Sequence, residues 1–295
     1  HRPPEILEAD LAPLMLDLAQ WGAQGPDELS WLTPPPSGAV AQAKDLLVQL
    51  GAFSASGRLT DHGRHMTELP LHPRLAHMLI SAIPLRLADQ ACEVAALLSE
   101  RDVLHGPSAD QNADVRVRLD VLQGEGDFSS QAVNRTALER VRRTAQLWRR
   151  QLKRLSGKPN SDGHDHPHVA GLLLALAYPD RIAQRQPGEI ASYRLVNGRG
   201  ARFRRPDPIA TEPFLVIADL DGGGQWADIN LAAPITCEAI ESLYPDQVFT
   251  EELVYWDERS GAVRALCRRR LGAVTLLEEA VSSPDVNKLT SVLLQ

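Results

Sequence analysis

Apolar residues near the start of the chain recur at intervals of three and four, which is the spacing of one face of an α-helix. They are Leu7, Leu11, Leu14, Leu18 and Trp21. A second helix is predicted from a cap at Ser37 to a left-handed stop at Gly51. The stretch AFSASGRLT then predicts two very short strands around a Ser-Gly turn, and Thr60 is predicted to cap a third helix. Helices followed by a small hairpin are typical of a winged helix, here residues 1–72.

The helical pattern continues through residues 73–186, which are predicted to be all-helical. The predicted helices span residues 74–84, 86–100, 110–123 and 134–156. The last of them carries an apolar seam at alternating steps of three and four: Leu138, Val141, Ala145, Trp148, Leu152 and Leu155. This spacing predicts a helical bundle in which the seam packs inward and the arginines of the same helix turn outward.

After Ile190 the pattern changes from helical to alternating. The predicted strands are Ser192–Val196, Phe214–Leu220, Trp226–Leu231, Glu252–Asp257 and Ala262–Arg270, with Ala273–Leu277 as a possible addition. A predicted helix, Ile235–Leu243, falls between the third and the fourth. Five short strands with a helix before the fourth predict an OB-like β-barrel over residues 187–295. The predicted fold is therefore a multidomain α+β chain of winged helix, helical bundle and barrel.

Charge is distributed unevenly along the 295 residues, whose net charge is −7. Residues 1–72 hold nine acidic and four basic residues, whereas residues 135–158 hold nine basic residues and one acidic residue. Residues 194–205 contain five arginines and no acidic residue. The overall charge disfavours a polyanionic partner, but the two basic stretches favour one.

The cysteines and the hydropathy predict a cytoplasmic protein. The three cysteines, Cys92, Cys237 and Cys267, are far apart and form no CxxC pair, which favours a reducing compartment. No apolar run approaches the ~18 residues that span a bilayer, and the first residues lack the apolar core of a signal peptide.

Catalytic motifs are missing from the sequence. There is no GxxxxGK[ST] phosphate loop, no GxSxG and no HExxH. The glycines of DGGGQW at 221–226 join two predicted strands and are interpreted as a turn. His164, His166 and His168 lack the spacing of a metal site and are interpreted as a polar loop. We therefore predict no catalytic residue and no bound metal or cofactor in this chain.

Three groups of arginines are candidates for binding single-stranded nucleic acid, which requires cations along a groove and a surface for base stacking. The groups are Arg194, Asn197, Arg199, Arg202, Arg204 and Arg205; Arg268, Arg269 and Arg270; and Arg135, Arg142 and Arg149. In the first, Asn197 and Gly198 are predicted to form a turn whose amides could meet a phosphate. In the second, strand alternation lets at most two of the three share a face. In the third, the arginines recur every seven residues on one helix face. Each group could instead be solvated surface charge.

Three aromatic residues also bear on this site. Trp226, Tyr255 and Trp256 could stack on bases, although aromatic residues on barrel strands more often belong to the core.

Several long stretches resemble the region that follows the two motor domains of DEAH-box ATP-dependent RNA helicases. They include PPEILEADLAPLMLDLAQWG, GAFSASGRLTDHGRHMTELPLHPRLAHML and LALAYPDRIAQ. NADVRVRLDVL, YRLVNGRGARF and VIADLDGGG resemble the bacterial HrpB-type branch of that family.

The resemblance implies a winged helix, a ratchet-like helical domain and an OB-like domain. It further implies single-stranded RNA, or DNA, as a partner, together with RecA-like motor domains of the same polypeptide. ATP and Mg²⁺ would bind in those motor domains, which would precede His1, so the chain is expected to be an inactive fragment of a helicase. The acidic winged helix is expected to join the second motor domain to the ratchet-like domain.

Two other functions are compatible with the residues. One is a stand-alone winged-helix regulator that binds duplex DNA, although the best recognition helix, 39–50, offers only Lys44 beside Asp45. The other is a scaffold whose basic patches bind an acidic protein.

Overall fold

The computed structural model describes most of the chain: residues 3–23, 25–106, 112–125, 132–156, 168–188, 191–222, 226–257 and 262–281. The chain forms two compact units. The first comprises His1–Ala109 and Arg116–Val169, and the second comprises Asp110–Val115 and Ala170–Gln295. The predicted division at residues 72/73 and 186/187 stays a prediction. Within the described residues, no helix is long and apolar enough to cross a membrane.

The first unit begins with three helices, α1 (Ala12–Gln20), α2 (Ser37–Gln49) and α3 (Asp61–Thr67). Gly51 lies beyond α2 with φ 68°, which confirms the predicted left-handed stop. The hydroxyl of Thr60 accepts a hydrogen bond from the amide of Gly63 at 2.9 Å, which confirms the predicted cap of α3. The predicted cap at Ser37 is wrong, because Pro36 is the last extended residue and Ser37 already lies in α2.

The predicted short hairpin lies between α2 and α3. Phe53 and Leu59 form an isolated antiparallel bridge, and the amide of Ser54 donates to the carbonyl of Arg58 at 2.8 Å. Gly57 completes the Ser-Gly turn with φ 77°. A Cβ at Gly63 would lie 2.3 Å from the carbonyl oxygen of Ala52, so α3 packs directly against this hairpin. The winged-helix pattern is therefore confirmed.

Within the described residues, five more helices precede the barrel: α4 (Pro73–Ser81), α5 (Ala88–Ser99), α6 (Val115–Gln123), α7 (Arg135–Ser156) and α8 (Val169–Ala177). The seam of α7 is confirmed, since Val141, Ala145, Trp148 and Leu152 are buried. The predicted helix 110–123 begins only at Val115, because Asp114 instead forms a parallel bridge with Ala232.

The second unit contains a closed five-stranded barrel. Its strands are β1 (Ile182–Arg185), β2 (Ser192–Leu195), β3 (Gly200–Arg202), β4 (Phe214–Asp221) and β5 (Trp226–Pro234). The spatial order is β1-β2-β3-β5-β4, with β1 and β4 closing the barrel and β3 parallel to β5. The predicted OB-like barrel and the α+β class are confirmed.

The strands assigned to that barrel are partly wrong. β1 lies in the segment that was predicted to be all-helical, and β3 was not predicted, because strands of four and three residues are too short to show an alternating pattern. The last three strands, β6 (Val248–Asp257), β7 (Ala262–Leu271) and β8 (Val274–Ala280), form a separate antiparallel sheet. Helix α9 (Cys237–Leu243) therefore follows the barrel instead of interrupting it.

The core of the barrel includes a residue from far upstream. Ala113 is buried with Tyr193, Leu215 and Ile217, and its carbonyl accepts a hydrogen bond from the amide of Ala232 at 2.8 Å. The carboxylate of Asp207 accepts from the amide of Ala113 at 2.7 Å. The segment around residue 113 thus lies beside β5 and completes the barrel.

The sheet β6–β8 is joined to the barrel through the turn between β7 and β8. The amide of Ala273 donates to the carbonyl of Val196 at 2.9 Å, and the amide of Thr275 donates to the side chain of Gln184 at 2.9 Å. A Cβ at Gly272 would lie 2.5 Å from the carbonyl oxygen of Val196. Glycine is therefore required for this close contact, which fixes the sheet against β1 and the β2–β3 turn.

Candidate nucleic-acid interface

The turn between β2 and β3 holds the first predicted arginine group. Gly198 has φ 85° and donates its amide to the carbonyl of Leu195 at 2.8 Å, while the amide of Arg199 donates to the side chain of Asn197 at 3.0 Å. The predicted turn is confirmed. Because it uses both of these amides itself, an approaching phosphate would meet the exposed side chain of Arg199 instead.

The outward face of the β2–β3 hairpin is basic. Arg194 pairs with Gly200 across the two strands, and Ser192 pairs with Arg202, so both arginines lie on the solvent side while Tyr193 and Ala201 are buried. In OB-fold barrels, the second and third strands form a common surface for oligonucleotides.

An exposed indole lies beside this face. Trp226 is paired with Gly200 and is 41% exposed, and a Cβ at Gly200 would lie 2.7 Å from the indole ring. The second glycine of NGRG therefore makes room for Trp226. The interpretation of the three aromatic residues as core is wrong, because Tyr255 and Trp256 on β6 are also 41% and 49% exposed.

Two of the arginines on this face have acidic partners. The Nε of Arg204 lies 2.6 Å from a carboxylate oxygen of Asp228, and Arg202 lies 3.8 Å from the same carboxylate. A second carboxylate, that of Asp221, lies 3.5 Å from Arg204. Hydrogen bonding to Asp228 raises the pKa of Arg204 above its usual value. Arg199 and Arg205 are exposed and have no ion pair within the described parts of the chain.

The second group, Arg268–Arg270, lies on β7, and each member has a glutamate partner. Arg268 pairs with Glu278, Arg269 with Glu241 of α9 at 3.0 Å, and Arg270 with Glu251 at 3.1 Å. Arg268 and Arg270 line a cavity together, whereas Arg269 does not. The alternation of a strand thus separates one arginine from the other two.

That cavity has a volume of about 540 Å³ and lies between the barrel and the sheet β6–β8. It brings Arg194 of the first group together with Arg268 and Arg270 of the second, and it adds Arg185 at the end of β1. Arg185 was not predicted as a site residue, because the segment that holds β1 was predicted to be helical. IAQRQ shows no alternation of apolar and polar residues, so no signal in the sequence marks this strand.

The third group, on α7, is bonded within the first unit. Arg149 lies between Asp89, at 3.3 Å, and Glu93, while Arg142 donates to the carbonyl of Leu122 at 3.0 Å. The expected outward orientation is therefore wrong for Arg149, which is half-buried. Arg135 is exposed.

Other candidate features add no chemistry. The described residues contain no group of three or more His, Cys, Asp or Glu that could hold a metal ion. His164 and His166 lie outside the described residues, as do Gly223, Gly224 and Gln225 of the glycine-rich turn. The strands on either side of those residues, β4 and β5, are paired antiparallel. Cys92, Cys237 and Cys267 are free thiols.

Comparison with known families accounts for much of this architecture. Residues 45–71 match the winged-helix part and residues 72–163 the ratchet-like part of the helicase-associated domain HA2. Residues 247–281 match the connector region of the ATP-dependent RNA helicase HrpB. The chain thus resembles the helicase-associated region of HrpB-type RNA helicases.

The similarity to HrpB extends over almost the whole chain. The ATP-dependent RNA helicase HrpB of Escherichia coli K12 is 32% identical over 293 residues, which are 99% of this chain and 33% of that protein. The crystal structure of E. coli DExH-box NTPase HrpB superposes with a TM-score of 0.73 at 30% identity, covering 98% of this chain and 32% of that one. A crystal structure of E. coli DEAH/RHA helicase HrpB, at 29% identity, gives the same TM-score and covers 100% of this chain and 34% of that one. The chain thus spans about a third of the length of these relatives.

The HrpB connector match corresponds to the sheet β6–β8, which the sequence analysis assigned to the barrel. The cavity therefore lies between the barrel and the connector sheet. At this junction, residues far apart in the sequence form one basic surface.

Proposed function

We propose that this region contacts single-stranded RNA through the outward face of β2 and β3. The observation that carries the proposal is the combination of Arg194, Arg199 and Arg202 with the exposed indole of Trp226 on an OB-like barrel. Guanidinium groups would follow the phosphates, and the indole would stack on a base without selecting a sequence.

The partner within the protein would be a pair of RecA-like motor domains of the same polypeptide. The relatives are named as ATP-dependent helicases, and this chain spans about a third of them. ATP and Mg²⁺ would bind in the motor domains. The residues present here do not fit either group, because the sequence has no GxxxxGK[ST] loop and the described part has no metal-binding cluster. This region would couple its contact with the strand to motor movement, and three free thiols support a cytoplasmic location.

Fluorescence anisotropy of labelled single-stranded RNA at several salt concentrations tests the RNA contact. The test variant changes Arg199, Arg202 and Arg205 to Gln and leaves Arg204 in place, because Arg204 pairs with Asp228 and Asp221. Loss of these cations should weaken binding and reduce the slope of log affinity against log salt by up to ~2, at ~0.7 for each lost phosphate contact. Single-stranded DNA of the same sequence measures the preference for RNA.

A matched control changes Arg140, Arg143 and Arg150 to Gln, which removes the same charge from exposed positions on α7. This control should keep most of the salt dependence. Equal slopes for the two variants would contradict the proposal. So would binding to duplex DNA alone or to a protein alone, which are the properties of a DNA regulator and of a scaffold.

Coupling can be measured in the intact protein. RNA-stimulated ATP hydrolysis should require a higher RNA concentration in the Arg199/Arg202/Arg205 variant, while hydrolysis at saturating RNA stays close to that of the wild type. If the RNA concentration required were unchanged, RNA contact at the barrel would not be coupled to ATP hydrolysis in the motor domains.

A further inference from the structure

The cavity between the barrel and the connector sheet has a strong excess of positive charge. Its lining includes four arginines and one carboxylate, that of Glu278. Glu278 pairs with Arg268, and Arg270 pairs with Glu251. Arg185 and Arg194 are exposed and have no carboxylate partner among the described residues. Two guanidinium groups at this cavity are thus available to an anion.

The pairing of Arg270 is incomplete. Its Nη1 reaches Glu251 at 3.1 Å, but its Nε is buried and has no hydrogen-bond partner among the described residues. A buried donor without a partner is unfavourable, so such groups are usually satisfied by a ligand or by water. Arg270 is held in place by Glu251 and by Phe249, whose ring centre lies 5.9 Å from its guanidinium carbon. Arg270 is therefore a fixed cation in the cavity wall.

The walls of the cavity are fixed by backbone contacts. On the barrel side, Gln184 accepts the amide of Thr275, and this bond joins β1 to β8. The carbonyl of Val196 accepts the amide of Ala273. The glycine contact at Gly272 holds the same junction together. The arginines from β1, β2 and β7 consequently converge on a site that the fold builds, rather than on a chance surface patch.

The charge and size of the cavity indicate its ligand. A phosphate ester with a free terminus carries close to two negative charges and three acceptor oxygens, and guanidinium groups bind such oxygens in pairs. A volume of about 540 Å³ matches a single small ligand, and Pro187 and Leu276 provide apolar wall beside the arginines. A strand passing through would instead require a continuous groove.

We propose that this cavity binds a phosphomonoester, either the terminal phosphate of an RNA strand or that of a free nucleotide. Arg185 and Arg194 would neutralise the phosphate, beside the wall that Arg268 and Arg270 form. The RNA source rests on the function proposed above, whereas the free nucleotide does not. An RNA strand would then have one phosphorylated end held at the connector while its bases follow the β2–β3 face.

The experiment compares three labelled oligouridylates of about ten nucleotides, within the range of OB-fold site sizes. One carries a 5′-phosphate, one a 3′-phosphate, and one hydroxyls at both ends. A terminal phosphate at the correct end should tighten binding about tenfold, which corresponds to ~1.4 kcal/mol. Calorimetry with uridine 5′-monophosphate and with inorganic phosphate tests the free-nucleotide source.

Two single variants locate the effect. The first variant, Arg185→Gln, removes a cation that lines the cavity and that is not changed in the variant used to test general RNA contact. The second variant, Arg194→Gln, removes the other cavity arginine that has no carboxylate partner among the described residues. Both residues are exposed, so the fold should be retained, and both variants should abolish the preference for a phosphorylated end. Arg264→Gln on the same strand as Arg268 and Arg270, outside the cavity, is the matched control and should keep the preference.

The outcomes separate the two proposals. Tight, salt-dependent binding of all three oligonucleotides without preference, together with no binding of the monophosphate, would overturn the phosphomonoester site and leave the RNA contact standing. Binding of the monophosphate that is lost in Arg185→Gln, without binding of any oligonucleotide, would support the cavity with a free nucleotide as its source and overturn the RNA contact. A preference that survives both variants would also overturn the site.

Discussion

Arginines in the helical part and in the barrel part of this chain have different surroundings. On α7, Arg149 is held by Asp89 and Glu93, and Arg142 is bonded to a backbone carbonyl. In the barrel, Arg185 and Arg194 face a cavity without a carboxylate partner in the described residues. The denser cluster in the sequence is therefore partly structural, while the ligand site proposed above lies where a closed barrel meets a second sheet. The number of arginines in a stretch of sequence therefore does not show which of them can bind a ligand. The contacts that each guanidinium group already makes within the fold are the better guide.

The largest expected effect concerns a third kind of basic residue, a half-buried histidine whose ring contacts another histidine. His77 on α4 contacts the ring of His62 at 2.7 Å and the hydroxyl of Ser81 at 3.4 Å. Burial, with a smaller contribution from the charge of His62, lowers the pKa of His77 to about 3. The unfolded chain binds this proton near pH 6.5, so stability is fully present above pH 6.5 and falls as the pH drops towards 3. This group alone should lower the free energy of unfolding by roughly 3 kcal/mol between pH 7 and pH 4.

Urea denaturation of the wild type and of His77→Gln at several pH values checks this prediction. The variant should lose much of the pH dependence between 6.5 and 4. His105→Gln, at an exposed position, is the control and should retain it. Equal acid sensitivity of wild type and His77→Gln would contradict the assignment.

The next effect tests the structural role of the α7 arginines. Arg149→Gln leaves Asp89 and Glu93 without their cation, and we expect a loss of about 2 kcal/mol in the free energy of unfolding. Arg150→Gln, on the adjacent exposed position, should change stability by less than ~0.5 kcal/mol. Neither variant should reduce RNA affinity as strongly as the barrel variant. If Arg149→Gln were as stable as the wild type but lost RNA binding, the contrast between the two regions would fail.

A somewhat smaller effect is expected at Trp226. Trp226→Ala should weaken single-stranded RNA binding by about 1–2 kcal/mol, within the range for a stacked base, and should leave the salt slope unchanged because no charge is removed. Tyr255→Ala, which is equally exposed on β6, separates the barrel face from the connector sheet. If only the tyrosine variant lost affinity for RNA, the base-stacking surface would lie on the connector sheet instead of on the barrel.

The smallest effect tests the competition between a carboxylate and a phosphate. Asp228→Asn removes an acidic partner that Arg202 and Arg204 share, so RNA binding should become about twofold tighter, by roughly 0.5 kcal/mol, and its salt slope steeper. Anisotropy at two salt concentrations is sufficient to detect this. Weaker binding would mean that Asp228 mainly orients these arginines.

Local features of the fold could be predicted from the sequence, and long-range ones could not. The cap at Thr60, the turn at Gly57 and the seam of α7 depend on neighbouring residues, and all three are confirmed. Strand alternation predicts a sheet but not which sheet, so β6–β8 were assigned to the barrel. The arginine-rich turn could be recognised from its local composition. The acidic partners of Arg149 and of Arg202 could not be predicted, because they come from other elements of the fold.

The insertion of Ala113 into the barrel has a consequence for how the chain folds during synthesis. The segment around residue 113 leaves the ribosome roughly 120 residues before Ala232, the strand residue that bonds to it, which at ~5–20 residues per second is a delay on the order of ten seconds. During that interval the helices on either side have all their local contacts, while the barrel lacks its last strand. A protein expressed from residue 187 onwards would lack both β1 and this segment, and its barrel would have two open edges prone to aggregation.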